Sequence, residues 1–192
     1  MLASSCIELS QAAKTRLLQM VWQVLDEALR GNGLYLPPEP DLKELLKPAA
    51  CFVTLQYHGK LRGCIGSLQA NEPLWLNVCK NAYSSGFKDS RFPPVTLSDR
   101  AGLSVDISVL SELVPLKNHG EATLLATLRP SIDGLLLEDD WHRAVFLPSV
   151  WEVVSSPEQF LLELKRKGGW PDTYWNEDIV IHHFTTTVIS EI

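Results

Sequence analysis

A chain of 192 residues, 45% hydrophobic and 21% charged, has the size and composition of one globular domain, alone or with a small subdomain. No apolar run approaches the roughly 20 residues a membrane helix needs, so no membrane partner is expected. The net charge of −6 and the pI near 5.3 argue against a nucleic-acid binder, because phosphate neutralisation needs a basic surface.

The first residues, MLASSC, faintly resemble a lipoprotein cleavage box ending at Cys6. They lack the basic start and the long apolar stretch of a signal peptide, and that reading is rejected. Cys6, Cys51, Cys64 and Cys79 have no paired short spacing, and a chain of this size needs no disulfide staples. Reduced thiols in a cytoplasm are expected.

SQAAKTRLLQMVWQVLDEALRGNG reads as an amphipathic helix over residues 10–30. Leu17, Leu18, Val21, Leu25 and Leu29 follow helical spacing, with Ser10 as N-cap and Gly31 just past the end. Residues 32–48, with four prolines, read as a surface connection with one helical turn at DLKELL. CFVTLQY, His58-Gly59 and KLRGCIGSL form a hairpin core over about 49–69. A two-residue loop pairs Tyr57 with Lys60, which predicts Val53 opposite Cys64 and Leu55 opposite Arg62. Arg62 and Cys64 then share one face, and Leu61 and Ile65 the other.

Asn71-Glu72-Pro73 opens a helix through LWLNVCKNAYSSGF, and KDSRFPPVT is a loop closed by two prolines. GLSVDISVL alternates as a half-buried strand. GEATLLATLR predicts a short helix, GLLLEDDWHRAVFLP a hairpin turning at its acidic cluster, SSPEQFLLELKRKGG a capped helix, and DIVIHHFTTTVISEI one closing strand. The hairpins imply antiparallel pairing, hence an α+β fold rather than a doubly wound parallel sheet, with a small subdomain within about 110–175.

Cys64 is the first chemical candidate. A neighbouring cation lowers a thiol's pKa, and Arg62 two residues away on the same predicted face is the candidate activator. The competing reading is a buried cysteine acting as a small hydrophobe. Gly63 and Gly66 leave room for a ligand's close approach. The loop FKDSRFPP adds Lys88, Asp89 and Arg91 as binding candidates, since a proline-fixed loop presents its charges rigidly. The plainer alternative is a turn in which Asp89 caps local amides and Arg91 makes a salt bridge. Asp106 and the Glu138-Asp139-Asp140 cluster are candidate partners for the arginines. The run Lys165-Arg166-Lys167 reads as a charge cluster complementing a helix dipole. The five histidines, among them adjacent His182 and His183 that must face opposite ways, form no metal-ligand pattern, and the residues name no cofactor.

LRGCIG resembles the hallmark of the AMMECR-domain family. The similarity extends through CFVTLQYHGKLRGCIGSLQ, FKDSRFPP, VDISVL, RPSIDGLLLE, FLPSVW and FLLELKRKGGW, in family order from about residue 49 to near the C-terminus, plus the first helix. The resemblance implies an antiparallel sheet flanked by helices, with a smaller subdomain packed on the main one. It carries the family motif onto Leu61, Arg62, Gly63, Cys64, Ile65 and Gly66, and the loop motif onto Asp89, Arg91, Phe92 and Pro93. It also implies two partners encoded with bacterial and archaeal members, a Memo-like protein and a radical S-adenosylmethionine protein. Two departures stand out: Lys165 where members often have cysteine, and Arg143-Ala144 where they often have Arg-Gly. The resemblance assigns no reaction. The expectation is a binding groove at LRGCIG and the DSRFPP loop, with thiol-dependent or redox chemistry at Cys64 as the alternative.

Overall fold

The computed structural model describes residues 7–191, and Cys6 lies outside them. Helix α1 spans Gln11–Leu29. The Ser10 hydroxyl accepts the Ala13 N–H at its start, and Gly31 takes a left-handed φ of 88° beyond its end, as the sequence predicts. Ala13, Leu17, Met20, Val21, Val24 and Leu25 form its buried stripe.

Strands β1 (Cys51–Tyr57) and β2 (Lys60–Ser67) make the expected hairpin. His58 and Gly59 have φ of 48° and 74°, the two positive values that match a two-residue turn to strand twist. Tyr57 pairs with Lys60, but the register then shifts at Leu55/Gln56 and leaves Arg62 as an extra residue. Cys64 therefore sits opposite Thr54 and Ile65 opposite Val53, which corrects the predicted pairing by one residue. Such a slip turns every later side chain to the other face. Its cause lies in helix α2 (Leu74–Phe87): a Cβ at Gly63 would collide with the Ser85 carbonyl, so the residue facing the helix there must be glycine. The bulge puts Gly63, not Arg62, in that place.

Helix α2 begins where the sequence places it, but Pro73 is itself the N-cap residue and no side chain caps the helix. Strand β3 (Leu103–Leu110) pairs antiparallel with β1. Its Leu103, Val105, Ile107 and Val109 are buried, as the alternation requires. With β8 (Thr186–Ser190) these strands form a sheet in the order β2-β1-β3-β8. Cys51, Val53, Leu55, Val105, Ile107 and Val109 join the buried residues of α1 and α2 in one hydrophobic core.

The chain divides into two compact units, one containing Ile7–Leu110 and the segment from Thr187, the other Ser111–Thr186. The second holds β4 (Val114–Leu116), α3 (Glu121–Thr127), β5 (Gly134–Glu138), β6 (Arg143–Phe146), α4 (Pro157–Gly168) and β7 (Val180–Phe184). Its sheet order is β4-β7-β5-β6, every neighbouring pair antiparallel. Leu135, Leu137, Phe160, Leu161, Leu164 and Ile181 belong to its core. Ser156 caps α4 through the Gln159 N–H, and Gly169 ends it with φ of 86°.

The sequence misses β4 and predicts one closing strand where there are two. The chain leaves β7 at Thr185, whose N–H is accepted by the Ser111 hydroxyl and whose carbonyl takes the Ser111 N–H, and then enters the other sheet as β8. Lys165, Arg166 and Lys167 lie in the last turn of α4, as the dipole reading expects, but Lys165 does more than face the helix end. It is buried, donating to Glu121 at 2.9 Å and to the Asp172 carbonyl at 2.6 Å. The α+β class stands.

Candidate functional site

The two sequence blocks LRGCIG and KDSRFPP meet at the outer edge of β2, the end strand of its sheet. An end strand carries main-chain donors and acceptors that no neighbouring strand satisfies. At Cys64 side chains satisfy them: its N–H donates to Asp89 Oδ2 at 2.9 Å, and its carbonyl accepts Arg91 Nη2 at 3.1 Å. Asp89 and Arg91 are themselves joined. The Asp89 carboxylate accepts Arg91 Nη2 at 2.7 Å, Nε at 2.9 Å and the Arg91 main-chain N–H at 3.2 Å. Asp89 and Arg91 thus occupy the hydrogen-bonding place of a missing strand.

Burial differs sharply across this pair: the Asp89 side chain is 4% exposed and that of Arg91 55%. The bonds from the Arg91 guanidinium, helped by the Cys64 N–H, hold the Asp89 carboxyl far below the ordinary carboxylate range. Arg91 lies 5.5 Å from the Phe92 ring centroid, and its Nη1 makes no hydrogen bond among the described residues. Lys88 is exposed, with Nζ 5.4 Å from the Tyr83 ring centroid.

Arg62 secures the other end of the loop. Its guanidinium donates to the Pro93 carbonyl at 2.6 Å, the Pro94 carbonyl at 3.1 Å and Asp99 Oδ2 at 3.2 Å. Asp99 also accepts the Thr96 N–H at 2.9 Å, and that bond and Arg62 hold its pKa below the ordinary value. Arg62 is therefore directed at the loop, and the bond that the Cys64 thiol makes is to the Thr54 hydroxyl. The arginine partners are Asp89 and Asp99. Asp106 instead accepts Gln56 Nε2 at 3.0 Å, and Glu138 pairs with Arg143 at 2.9 Å.

Gly63 and Gly66 serve close packing within the protein. Gly63 abuts the Ser85 carbonyl, and the Phe52 ring lies over Gly66, so the place a side chain would take at each is occupied by the protein. Ser85 acts within the ladder: its hydroxyl accepts the Ile65 N–H at 2.9 Å and donates to the Val53 carbonyl at 2.7 Å. On the sheet face away from α2, Cys64, Thr54 and Asp106 form one cross-strand row. The half-buried Cys64 sulfur accepts the Thr54 hydroxyl at 3.3 Å.

Ser85, Thr54 and Asp99 are the residues that sequence reasoning passed over. Asp99 had a signal: Thr96-Leu97-Ser98-Asp99 has the spacing of a capping box. Ser85 and Thr54 had none. Among the described residues no group of three or more His, Cys, Asp or Glu is placed to hold a metal ion, and no helix is long and apolar enough to cross a membrane.

Known proteins share this architecture. The AMMECR1 family profile matches residues 18–189. A protein of Methanothermobacter thermautotrophicus is 31% identical over 191 residues, covering 95% of this chain and 96% of that one. A Thermotoga maritima protein is 33% identical over 166 residues, covering 85% and 90%. The crystal structure of the uncharacterised protein PH0010 from Pyrococcus horikoshii superposes with a TM-score of 0.81 at 30% identity, covering 90% of this chain and 88% of that one. The match over nearly the whole chain establishes that it belongs to the AMMECR1 family.

Proposed function

We propose that the protein is a binding module and that the loop of residues 88–94, seated on the edge of β2, receives an anionic group carried by a small ligand or a partner protein. The observation that supports this reading is Arg91. Its guanidinium is fixed by Asp89 and the Cys64 carbonyl, yet its side chain is 55% exposed and Nη1 has no hydrogen bond among the described residues. A fork already ordered loses little freedom when it takes up a carboxylate or phosphate. Lys88, immediately before Asp89, adds a second exposed cation on the same loop. The Memo-like and radical S-adenosylmethionine proteins implied by the family resemblance are the partner proteins we assign to this surface. The cytoplasm is the compartment that fits its free thiols.

The test is an NMR titration of the 15N-labelled chain with inorganic phosphate and, separately, acetate. Binding with a Kd of about 1 mM, some −4 kcal/mol, is expected to shift the Arg91 Nε–H and the main-chain amides of Cys64 and Arg91. Shifts confined to other regions, or none in excess anion, would contradict the reading.

A further inference from the structure

Each sheet has two end strands, and three of the four are guarded against pairing with another chain. The edge of β2 is closed at Cys64 by Asp89 and Arg91. Strand β4 carries Pro115, which has no N–H to offer. On β6 the Val145 carbonyl accepts Lys167 Nζ at 2.9 Å. Blocking side chains, prolines and lysines are the usual protections of a sheet edge. Strand β8, Thr-Thr-Val-Ile-Ser, has no charge and no proline, and its β-branched residues favour strand pairing.

Among the described residues no strand pairs with the outer edge of β8. A groove of about 390 Å³ runs between it and α1, lined by Lys14, Leu18 and Trp22 on the helix and by Val188, Ile189 and Glu191 on the strand. Neighbouring strand residues point to opposite faces: Val188 is 53% exposed and Ile189 3%. Both line the groove, so its wall is the main-chain edge of the strand. The described N-terminal chain touches β8 through a side chain, the Thr187 hydroxyl donating to the Ile7 carbonyl at 2.7 Å.

An open edge is satisfied by another extended segment that is itself unguarded. Among the described residues β8 is the end strand that meets this condition, and a second copy supplies it. Charge on this side does not oppose the same occupant. The chain carries −6, but the groove's charges are Lys14 and a Glu191 carboxylate already engaged by the Trp22 indole N–H. Two copies approaching through this side meet little like-charge repulsion. We propose that β8 pairs antiparallel with β8 of a second copy across a two-fold axis, joining two four-stranded sheets into one of eight strands.

Sedimentation equilibrium of the full chain over about 1 to 100 µM tests this, a range that resolves micromolar dimers. The expected result is a species of twice the 21.5 kDa chain mass that dissociates on dilution. Amide exchange in β8 should be slower at the high concentration. Val188→Lys places a blocking lysine on an exposed strand position and should give a monomer with unchanged circular dichroism; Lys14→Glu, at the helix rim, should weaken the dimer at least about tenfold. A chain that stays monomeric, or a dimer indifferent to both substitutions, overturns the proposal. So does a monomer whose β8 amides are already protected and lose that protection when residues 1–6 are removed, which would assign the edge to the chain's own N-terminal arm.

Discussion

The Asp89 carboxylate accepts the main-chain N–H of Cys64 at 2.9 Å, joining a loop to a strand 25 residues earlier in the chain. The same carboxylate fixes Arg91, which returns to the Cys64 carbonyl. One buried acid therefore orders both the edge of β2 and the exposed guanidinium proposed to bind. Asp89→Ala leaves the Cys64 N–H without its acceptor and Arg91 without its anchor. It is expected to lower stability by about 3 kcal/mol in urea denaturation. A loss below about 0.5 kcal/mol, the range of ordinary surface substitutions, would show that the clamp contributes little.

Acid should release this clamp late. The folded pKa of Asp89 is depressed chiefly by Arg91, so its stabilisation is complete above the unfolded value of about 3.9 and is lost as pH falls toward the lower folded value. Arg91→Ala should raise the Asp89 carboxyl pKa, read by 13C NMR titration, and flatten the pH dependence of stability below about pH 4. An unchanged Asp89 titration in that variant would contradict the assignment.

Gly63 answers to packing. Gly63→Ala drives a methyl group into the Ser85 carbonyl and is expected to destabilise by about 2 to 4 kcal/mol, well beyond the usual Gly-to-Ala effect in a strand. Ser85→Ala removes the hydroxyl that bridges Ile65 N–H and Val53 C=O, at a cost of about 1 to 3 kcal/mol. Denaturation curves with unchanged m-values check both. A neutral Gly63→Ala would mean that α2 moves aside without penalty.

The cysteines should separate by burial. Burial pushes the Cys51 and Cys79 thiols up to about 12, and both side chains lie in the core. Cys64 is half-buried on the sheet face away from α2. Iodoacetamide labelling of the native chain, read by mass spectrometry, should modify Cys64 ahead of Cys51 and Cys79, which should react only on unfolding. Early labelling of either core cysteine would contradict the packing described.

In the second unit, burial lowers the pKa of His183, with Asp133 3.9 Å away offsetting part of the effect. The unfolded chain then takes up this proton first. Stability is present above about pH 6.5 and is lost as pH falls from there toward the lower folded value. His183→Phe should flatten that part of the pH–stability profile, whereas an unchanged slope would place the titration elsewhere.

Much of the fold was legible because its signals are local. Ser10 and Gly31 mark α1, Ser156 and Gly169 mark α4, and His58-Gly59 sets the hairpin turn. What was not legible depends on contacts between distant segments. The bulge at Arg62 arises because a helix carbonyl, Ser85, reaches Gly63, and no strand pattern reports on a helix that packs above it. Strand β4 has three residues, too few to show a period, and the break between β7 and β8 rests on Thr185 pairing with Ser111. At the candidate site the residue types were visible, but the partners were not: Arg62 belongs with Asp99 and Arg91 with Asp89.

The central claim, that Arg91 rather than the Cys64 thiol is the recognising group, is tested most directly by repeating the phosphate and acetate titrations on Arg91→Ala and Cys64→Ala, with circular dichroism confirming that each remains folded. Anion-induced shifts should disappear in Arg91→Ala and persist in Cys64→Ala. Shifts that survive in Arg91→Ala, or vanish in a folded Cys64→Ala, would contradict it.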